Sequence, residues 1–379
     1  MNGAVYLDHN ATAPVRPEAL EAVVRTLSMV GNPSSVHGFG RAAHHLMDDA
    51  REHVAALAGA RPEDVVFTGS GSEANNLALG GCGRRRVLVS AVEHDSILNA
   101  DASQEIVPVD GDGVIDLDAL DSQLALEGTP ALVSVMLANN ETGTIQPVAG
   151  VVEVARRHDA LVHCDAVQAV GKLATSFSDL GVDMMTLSAH KMGGPQGIGA
   201  LIVGANVTLR ALTRGGGQER GRRAGTESVP LIAGFGAAAL AIGGGEEIQR
   251  LARLRDSLEE RLGRLTPAPV LVGRGAPRLP NTSCIAMPGV ASETQVMAFD
   301  LAGIAVSAGS ACSSGKVRPS HVLSAMGLGE TVVGSVIRVS LGWTSTEVEV
   351  ERFVTAWTEI NERLGGGAEG RVLVPSAKA

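Results

Sequence analysis

Residues 184–203 read MMTLSAHKMGGPQGIGALIV and join two apolar runs through a lysine and a glycine-rich turn. The runs, Met184–Ser188 and Ala200–Val203, have the length and composition of strands that are covered on both faces. Four further runs of this kind are Asp64–Thr68, Arg86–Val92, Ala131–Leu137 and Ala160–Asp165. Because helical segments separate these runs, the sequence predicts an α/β fold with a mainly parallel sheet.

The remaining periodicity predicts helices and a second region of different texture. Ala43–Leu57 has apolar residues at helical spacing, and Gly59 is expected to end that helix. The run Gly243-Gly244-Gly245 breaks the chain before a charged helix, near which we expect a domain boundary, and after Pro267 and Pro269 the texture changes. The predicted elements of this second part are helices at about Glu246–Leu262, Glu293–Leu301 and Glu347–Leu364 and short strands at Ser283–Met287 and Ile337–Leu341.

The composition excludes several classes of protein. Hydrophobic residues make up 45% of the 379 residues, which supports an extensive core and excludes global disorder. The formal charge of −10 argues against direct binding to nucleic acid and against binding to an anionic membrane surface. No apolar run approaches the roughly 18 residues of a membrane span, and the start lacks the pattern of an export signal. The four cysteines are widely scattered, so we expect a cytoplasmic protein without a disulfide framework.

Two polar residues follow predicted strands, at the sheet edge where α/β proteins place their ligands. Asp165 lies in HCDAVQAVGK, residues 163–172, although an aspartate in that position is more often a helix cap. Lys191 lies between apolar sequence and the glycine-rich turn, where partial desolvation favours the neutral amine that forms Schiff bases. The alternative for Lys191 is a surface lysine on a loop.

Three further segments are candidates for a site. FTGSGSEANNLAL, residues 67–79, predicts a strand, a turn and a helix whose N-terminus, with Ser70 and Ser72, suits a phosphate. It lacks the GxGxxG pattern, so a nicotinamide site is a weak alternative. His94 follows a strand, where a histidine is usually structural or exposed. Cys312 lies among small residues in VSAGSACSSGKVRPSHVL, residues 306–323, which indicates an accessible thiol or an incidental cysteine in a loop.

Taken together, these segments supply a lysine, a carboxylate, a phosphate cradle, a histidine and a thiol. Pyridoxal phosphate needs most of that set: an amine for its aldehyde, an acid for its ring nitrogen and donors for its phosphate. We therefore expect pyridoxal 5′-phosphate as cofactor. We predict no metal site.

Eight ordered motifs resemble the cysteine desulfurases of the NifS/IscS type, which are fold-type-I pyridoxal-phosphate enzymes of the class-V aminotransferase family. The motifs are YLDHNATAP (6–14), NPSSVH (32–37), NNETG (139–143), HCDAVQAVGK (163–172), SAHKMGGPQGIG (188–199), GGGQERGRRAGT (215–226), SAGSACSSG (307–315) and IRVSLG (337–342). The resemblance implies a large cofactor-binding domain, 15–255, with a mainly parallel seven-stranded sheet. It also implies a smaller α/β domain, 1–14 and 256–379, that carries a mobile cysteine loop at about 308–320.

The resemblance implies roles around the cofactor ring. Lys191 would bind the aldehyde and later move the Cα proton of the substrate. Asp165 would pair with the ring nitrogen, and Gln168 would donate to the phenolic oxygen. His94 would stack on the ring and serve in proton transfer, and Asn140 would lie beside the cofactor.

The resemblance also implies the groups that hold the phosphate and the substrate. In this subunit the phosphate would be held by Gly71, Ser72, Ser188 and His190. Thr226 of a second subunit, in a homodimer, would complete the phosphate site. Arg338, with Asn140, would bind the substrate carboxylate. Cys312 would accept the substrate sulfur as a persulfide.

The implied activity is an L-cysteine desulfurase that passes sulfur to an acceptor protein. That acceptor would be an iron–sulfur scaffold, a tRNA-thiolation enzyme or another user of sulfur. The C-terminal sequence GGGAEGRVLVPSAKA, residues 365–379, differs from the extension that docks a dedicated scaffold. The alternative activity is a selenocysteine lyase or a related β-elimination enzyme. A non-catalytic partner is a third alternative, which the presence of Lys191 and Asp165 disfavours.

Overall fold

The computed structural model describes residues 3–126, 130–266, 268–308 and 319–365. The strands in this part of the chain are β1 (Val5–Tyr6), β2 (Val65–Thr68), β3 (Arg86–Ser90), β4 (Glu105–Val107), β5 (Ala131–Met136), β6 (Leu161–Asp165), β7 (Met184–Ser188), β8 (Gly199–Val203), β9 (Val270–Val272), β10 (Thr282–Ala286), β11 (Ile304–Ala305), β12 (Ser307–Ala308) and β13 (Val336–Ser340).

The α-helices in the same residues are α1 (Pro17–Leu27), α2 (Gly38–Ala58), α3 (Gly71–Gly81), α4 (Asp95–Leu98), α5 (Leu117–Ala125), α6 (Val148–Arg157), α7 (Phe177–Leu180), α8 (Val229–Leu240), α9 (Gly244–Gly263), α10 (Ser292–Leu301), α11 (His321–Ala325), α12 (Glu330–Val333) and α13 (Glu347–Leu364). Short 3₁₀ turns lie at Pro62–Asp64, Ala189–Lys191 and Gln218–Gly221.

The larger sheet has seven strands in the order β2-β8-β7-β6-β5-β3-β4. Strand β8 runs antiparallel to both of its neighbours, and the other four pairings are parallel. Strands β5, β7 and β8 are buried along their whole length, as their apolar sequences predict. This sheet confirms the predicted α/β fold with a mainly parallel seven-stranded sheet.

Helices α2 and α8 pack closely against each other because small residues face each other across the contact. A Cβ atom added to Gly236 of α8 would lie 2.5 Å from the Cα atom of Ala50 in α2. Helix α2 begins five residues earlier than the sequence predicts and ends at Gly59, whose φ of 61° suits glycine. The apolar helix α8 was not predicted, because its residues are hydrophobic on all sides and show no clear periodicity.

A second core lies beside the four-stranded antiparallel sheet β12-β13-β10-β9. The rings of Phe299 and Phe353 stack with centroids 5.0 Å apart, and Trp357 packs beside them. Strand β1 pairs in parallel with β11, which brings the N-terminal segment to this core. Leu251 of α9 packs here as well. The predicted domain boundary at residue 255 therefore falls inside α9, and the division into two domains stays a prediction.

Cys312 and residues 309–318 of the expected cysteine loop lie outside the described residues. Among the residues that the structure does describe, no single helix is long and apolar enough to cross a membrane. Helices α8 and α9 meet that test of length and composition only as a pair, which is bent by 77°.

Candidate active site

A cavity of about 310 Å³ opens at the carboxyl ends of β6 and β7, where α/β sheets bind their ligands. Its size is within the usual range for a small-molecule site. Ten of the twelve residues that the sequence analysis singled out line this cavity: Gly71, Ser72, His94, Asn140, Asp165, Gln168, Ser188, His190, Lys191 and Arg338. The fold thus gathers residues that are up to 267 positions apart in the chain (338 − 71).

Lys191 ends the short 3₁₀ turn that follows β7. Its Nζ atom donates hydrogen bonds to the backbone oxygens of Asn10, at 2.6 Å, and Ala11, at 2.8 Å. Burial and the nearby Arg338 guanidinium lower the Lys191 pKa to about 8, although Asp8 and Asp165 act in the opposite direction. A large fraction of the amine is therefore neutral near pH 8, which is the form that attacks an aldehyde.

Asp165 is the last residue of β6, and its side chain is almost fully buried. One carboxylate oxygen, Oδ1, accepts the backbone N–H of Val167 at 3.0 Å, in the turn that follows β6. The other oxygen, Oδ2, accepts Nδ2–H of Asn75 at 2.8 Å. The carboxylate thus holds the turn that follows β6 and also lines the cavity, and in the described part of the chain no helix begins at this residue. Its two hydrogen bonds fix its orientation.

Helix α3 begins at Gly71, directly at the cavity. Ser70 caps the helix by accepting the backbone N–H of Glu73 at 3.1 Å. The first N–H groups of a helix have no partner within it, so those of Gly71 and Ser72 suit an anion. A Cβ atom on Gly71 would lie 3.2 Å from Cβ of Ser188, so glycine permits this close approach.

Two histidines line the same cavity, one partly buried and one exposed. Burial, followed by the charges of Lys191 and Lys172, lowers the His190 pKa to about 4, so this ring is neutral at pH 7. The Nδ1 atom of His94 accepts the backbone N–H of Ser96 at 3.1 Å and lies 2.8 Å from its Oγ atom. His94 is exposed and caps α4, so it is both a structural residue and a cavity residue.

Arg338 projects from β13 and is only 2% exposed. Its Nη1 atom donates to the backbone oxygen of Asn140 at 3.1 Å, and its Nη2 atom lies 2.6 Å from Oδ1 of Asp8. The other oxygen of Asp8 accepts a hydrogen bond from Ser307 at 2.7 Å. The guanidinium is thus held in a fixed orientation at the cavity, as a clamp for a carboxylate requires.

Two predicted site residues, Thr226 and Cys312, are not among the residues that line the cavity in the described part of the chain. Thr226 is exposed and lies elsewhere on the surface. Cys312 is one of the residues outside the description. The roles given to all twelve residues stay predictions.

The sequence analysis missed several polar residues that hold the site together, namely Asp8, Asn10, Asn75, Ser96 and Lys172. Asp8, Asn10, Asn75 and Lys172 lie inside segments quoted in the sequence analysis, and Ser96 follows His94 by two residues. Position was their only signal, because the hydrogen-bond partners of a polar side chain cannot be deduced from its residue type. Their roles emerge only from contacts across the fold, such as the hydrogen bond from Asn281 to Asn10.

The residues of the cavity fit pyridoxal phosphate by their chemistry. A lysine with a lowered pKa can bind the aldehyde, a fixed carboxylate can pair with the ring nitrogen, and a helix N-terminus can take the phosphate. The neutral His190 is compatible with a phosphate at that end, because it can donate or accept a hydrogen bond.

The chain matches the aminotransferase class-V family over residues 5–353 and belongs to that family, whose members are pyridoxal-phosphate enzymes. It is similar to a cysteine desulfurase of Cereibacter sphaeroides, with 44% identity over 95% of this chain and 96% of that protein. It is also similar to the solved structure of a NifS-like protein from Rickettsia africae. That likeness has 36% identity and a TM-score of 0.87, and it covers 95% of this chain and 99% of that one.

A third relative is a solved structure described as SspA in complex with cysteine. It is 31% identical, has a TM-score of 0.78 and covers 89% of this chain and 98% of its own. These likenesses confirm the predicted resemblance to the NifS/IscS type, the fold class and the cofactor.

Proposed function

We propose that this chain removes sulfur from L-cysteine, releases L-alanine and carries the sulfur as a persulfide on Cys312. The observation that carries the proposal is the meeting of Lys191, Asp165 and Arg338 in one cavity. The cysteine desulfurases that match nearly the whole chain confirm the predicted activity and the predicted class of pyridoxal-phosphate enzyme. The roles of the individual residues are our proposal, supported by the geometry.

When bound, the cofactor supplies an electron sink that acidifies the substrate Cα and activates its Cβ–S bond. Lys191 would hold the cofactor through its aldehyde, and its amine would move the Cα proton of the substrate. The lowered Lys191 pKa supports this role, because a base works best when its pKa is near the working pH.

Three side chains hold the ring of the cofactor. Asp165 pairs with the ring nitrogen, and Asn75 keeps the carboxylate in place through its 2.8 Å hydrogen bond. Gln168 donates to the phenolic oxygen. His94 would stack on the ring and assist in proton transfer, and the hydrogen bond that its Nδ1 atom accepts from Ser96 fixes the imidazole.

The phosphate and the substrate bind at different groups. Gly71, Ser72, Ser188 and His190 hold the phosphate. Arg338 binds the substrate carboxylate, and Asn140 lies beside it with its backbone oxygen on the same guanidinium. A carboxylate clamp next to the lysine suits an amino-acid substrate.

The sulfur transfer needs a thiolate that burial does not suppress. The chain has four cysteines, and three of them, Cys82, Cys164 and Cys284, are free and buried. Burial raises the pKa of each of these three thiols, which disfavours the thiolate. Cys312 is therefore the cysteine that we assign to catalysis.

In the sulfur-transfer step the Cys312 thiolate attacks the sulfur of the substrate. A new S–S bond forms, and the Cβ–S bond breaks. The substrate Cβ keeps the electron pair of the broken bond and takes a proton. L-cysteine and one enzyme thiol thus give L-alanine and one enzyme persulfide, with no external oxidant or reductant.

We further propose a homodimer in which Thr226 of a second copy contacts the phosphate. Thr226 is exposed, and the adjacent Glu227 lines a surface cavity with Pro33 and Ser34. The segment around these residues exposes Val30 and Phe39, at 80% and 68%, which a second copy would cover.

The persulfide would pass to an acceptor protein, either an iron–sulfur scaffold or a tRNA-thiolation enzyme. We also propose a cytoplasmic location, supported by the free thiols of Cys82, Cys164 and Cys284.

The test uses the purified full-length protein loaded with cofactor. We expect a yellow protein whose visible absorbance is bleached by borohydride, and which yields alanine and persulfide from cysteine in equal amounts at single turnover. Cys312→Ala is expected to keep the absorbance and lose persulfide, whereas Cys284→Ala, a matched control at a buried thiol, keeps both. Full desulfurase activity in Cys312→Ala would refute the assigned carrier and favour a β-elimination enzyme.

A further inference from the structure

Lys172 is a buried lysine that the proposed reaction does not use. It is 7% exposed and ends the motif HCDAVQAVGK, four residues after Gln168. Its Nζ atom lies 2.6 Å from Oε1 of Gln168 and 3.1 Å from Oδ1 of Asn10. In the described part of the chain no carboxylate pairs with this amine. Burying a charged amine without a counter-ion costs free energy, so Lys172 needs other interactions that compensate for its burial.

The contact with Gln168 determines which end of that amide faces which neighbour. A lysine amine offers N–H donors, so the atom of Gln168 nearest to it must be the carbonyl oxygen. The amide nitrogen, Nε2, is therefore directed to the other side, where it donates to the backbone oxygen of Asn10 at 2.9 Å. The backbone oxygen of Asn10 and the amine of Lys172 thus favour the same orientation, and loss of Lys172 would leave the carbonyl oxygen of Gln168 without its donor.

Lys172 also fixes a second amide. The Oδ1 atom of Asn10 accepts from Lys172 and, at 3.1 Å, from Asn281. Its Nδ2 atom consequently donates to Thr282 at 2.9 Å. The backbone oxygen of this same Asn10 accepts from Lys191 at 2.6 Å. One buried amine thus anchors the residue that holds the proposed catalytic lysine.

The charge of Lys172 is consistent with this arrangement. Burial, followed by the charges of Lys191 and Arg338, lowers the Lys172 pKa well below its usual value. A neutral amine has two N–H groups, and the structure provides two acceptors for them, on Gln168 and Asn10. The neutral form adds no second positive charge beside Lys191.

We propose that Lys172 is a positioning residue that makes Gln168 present an N–H, rather than a carbonyl oxygen, to the phenolic oxygen of the cofactor. The inference rests on the proposed function only for the contact between Gln168 and the cofactor. The orientation of the amide follows from the hydrogen bonds around it.

A double-mutant cycle tests this coupling by cofactor affinity, not by activity. Full-length wild type, Lys172→Met, Gln168→Ala and the double variant are freed of cofactor, and the Kd for pyridoxal phosphate is measured by fluorescence titration. We expect each single variant to bind about tenfold more weakly, as for one lost buried hydrogen bond. The double variant should fall well short of the hundredfold loss expected for two independent contacts, because Lys172 acts on the cofactor ring chiefly through the amide of Gln168.

A second readout is the pH titration of the visible absorbance of the loaded protein. Lys172→Met and Gln168→Ala should move its midpoint in the same direction, because both remove the donor from the phenolic oxygen. A structural role for Lys172 would lower the thermal midpoint and leave this titration unchanged. An unchanged Kd in Lys172→Met, or losses that multiply to about a hundredfold in the double variant, would overturn the proposal.

If Lys172→Met does not fold, Gln168→Glu provides a second test of the donor that Gln168 is proposed to present. It retains an acceptor for Lys172 but has no N–H, so it should fold and bind cofactor as weakly as Gln168→Ala. Cofactor binding as tight as in wild type would refute the proposal. Wild-type protein that makes no alanine from cysteine would refute the proposed activity instead, and the affinity cycle would be unaffected.

Discussion

The guanidinium of Arg338 and the carboxylate of Asp8 form an ion pair, with Nη2 2.6 Å from Oδ1, across 330 positions of sequence. Asp8 follows β1, and Arg338 lies in β13, so the pair ties the N-terminal segment to the small sheet. The Arg338 side chain is 3% exposed, and Asp8 is the carboxylate that neutralises it in the described residues. In the proposed role of Arg338, a substrate carboxylate would have to join or displace Asp8 at this guanidinium.

Asp8→Asn is expected to lower the free energy of unfolding by about 3 kcal/mol, because it leaves a buried cation without its counter-charge. The measurement is urea unfolding at pH 7. Ser307→Ala is the matched control, since it removes the hydrogen bond to the other oxygen of Asp8 and should cost about 1 kcal/mol. Equal losses in the two variants would mean that the charge of Asp8 contributes nothing beyond a hydrogen bond.

Asn75→Ala is expected to weaken cofactor binding about tenfold, because Asp165 loses the donor at 2.8 Å that fixes its Oδ2 atom. Fluorescence titration of cofactor-free protein gives the affinity. Asn76→Ala is a suitable control, since Asn76 lies next in α3 and donates instead to the backbone oxygen of Ser72. If Asn75→Ala binds as tightly as wild type, Asp165 needs no support from α3.

The sequence was a good guide where a local pattern determines the structure. Strand β7 and helix α13 have the predicted bounds, because an apolar run and a capped amphipathic segment are defined by neighbouring residues. The two-residue strand β1 and the short strands β9 and β11 were not predicted. Strands of two or three residues show no alternation, and their pairing depends on chain segments far away.

The site residues also fall into those that a local pattern predicts and those that depend on distant contacts. Lys191 and Asp165 were predicted because each follows an apolar strand, and a sheet brings such ends together. Lys172 and Asn10 were missed, although both lie in recognised motifs. Their importance comes from hydrogen bonds between residues 162 positions apart, which no local pattern encodes.

The reaction of the cofactor with Lys191 should depend on pH with a midpoint near 8. Burial and Arg338 lower the pKa of this amine from 10.5 to about 8, and only the neutral amine attacks the aldehyde. The rate at which cofactor-free protein regains its visible absorbance should therefore rise between pH 7 and 9. Replacing the nearby cation in Arg338→Gln should move the midpoint upward.

The same shift predicts a change in stability. Between pH 8 and 10.5 the unfolded chain holds a proton on Lys191 that the folded chain has lost, so cofactor-free protein should gain stability across that interval. Lys191→Met should lack this gain. A midpoint above 10 for cofactor attachment would contradict the role of burial at this amine.

Glu93 should make the protein less stable as the pH rises. This carboxyl is fully buried, and one oxygen accepts the backbone N–H of Met136 at 2.7 Å, while the other, Oε2, has no partner in the described residues. Burial raises the Glu93 pKa well above 4.5, so the folded protein keeps a proton that the unfolded chain loses. Unfolding is therefore favoured as the pH rises above 4.5, at about 1.4 kcal/mol per pH unit while only the unfolded state is ionised.

Glu93→Gln imitates the protonated form and should match wild type near pH 4.5 and exceed its stability at pH 7. Urea unfolding at the two pH values decides the matter, and a constant difference between wild type and Glu93→Gln would show that the buried carboxyl is ionised.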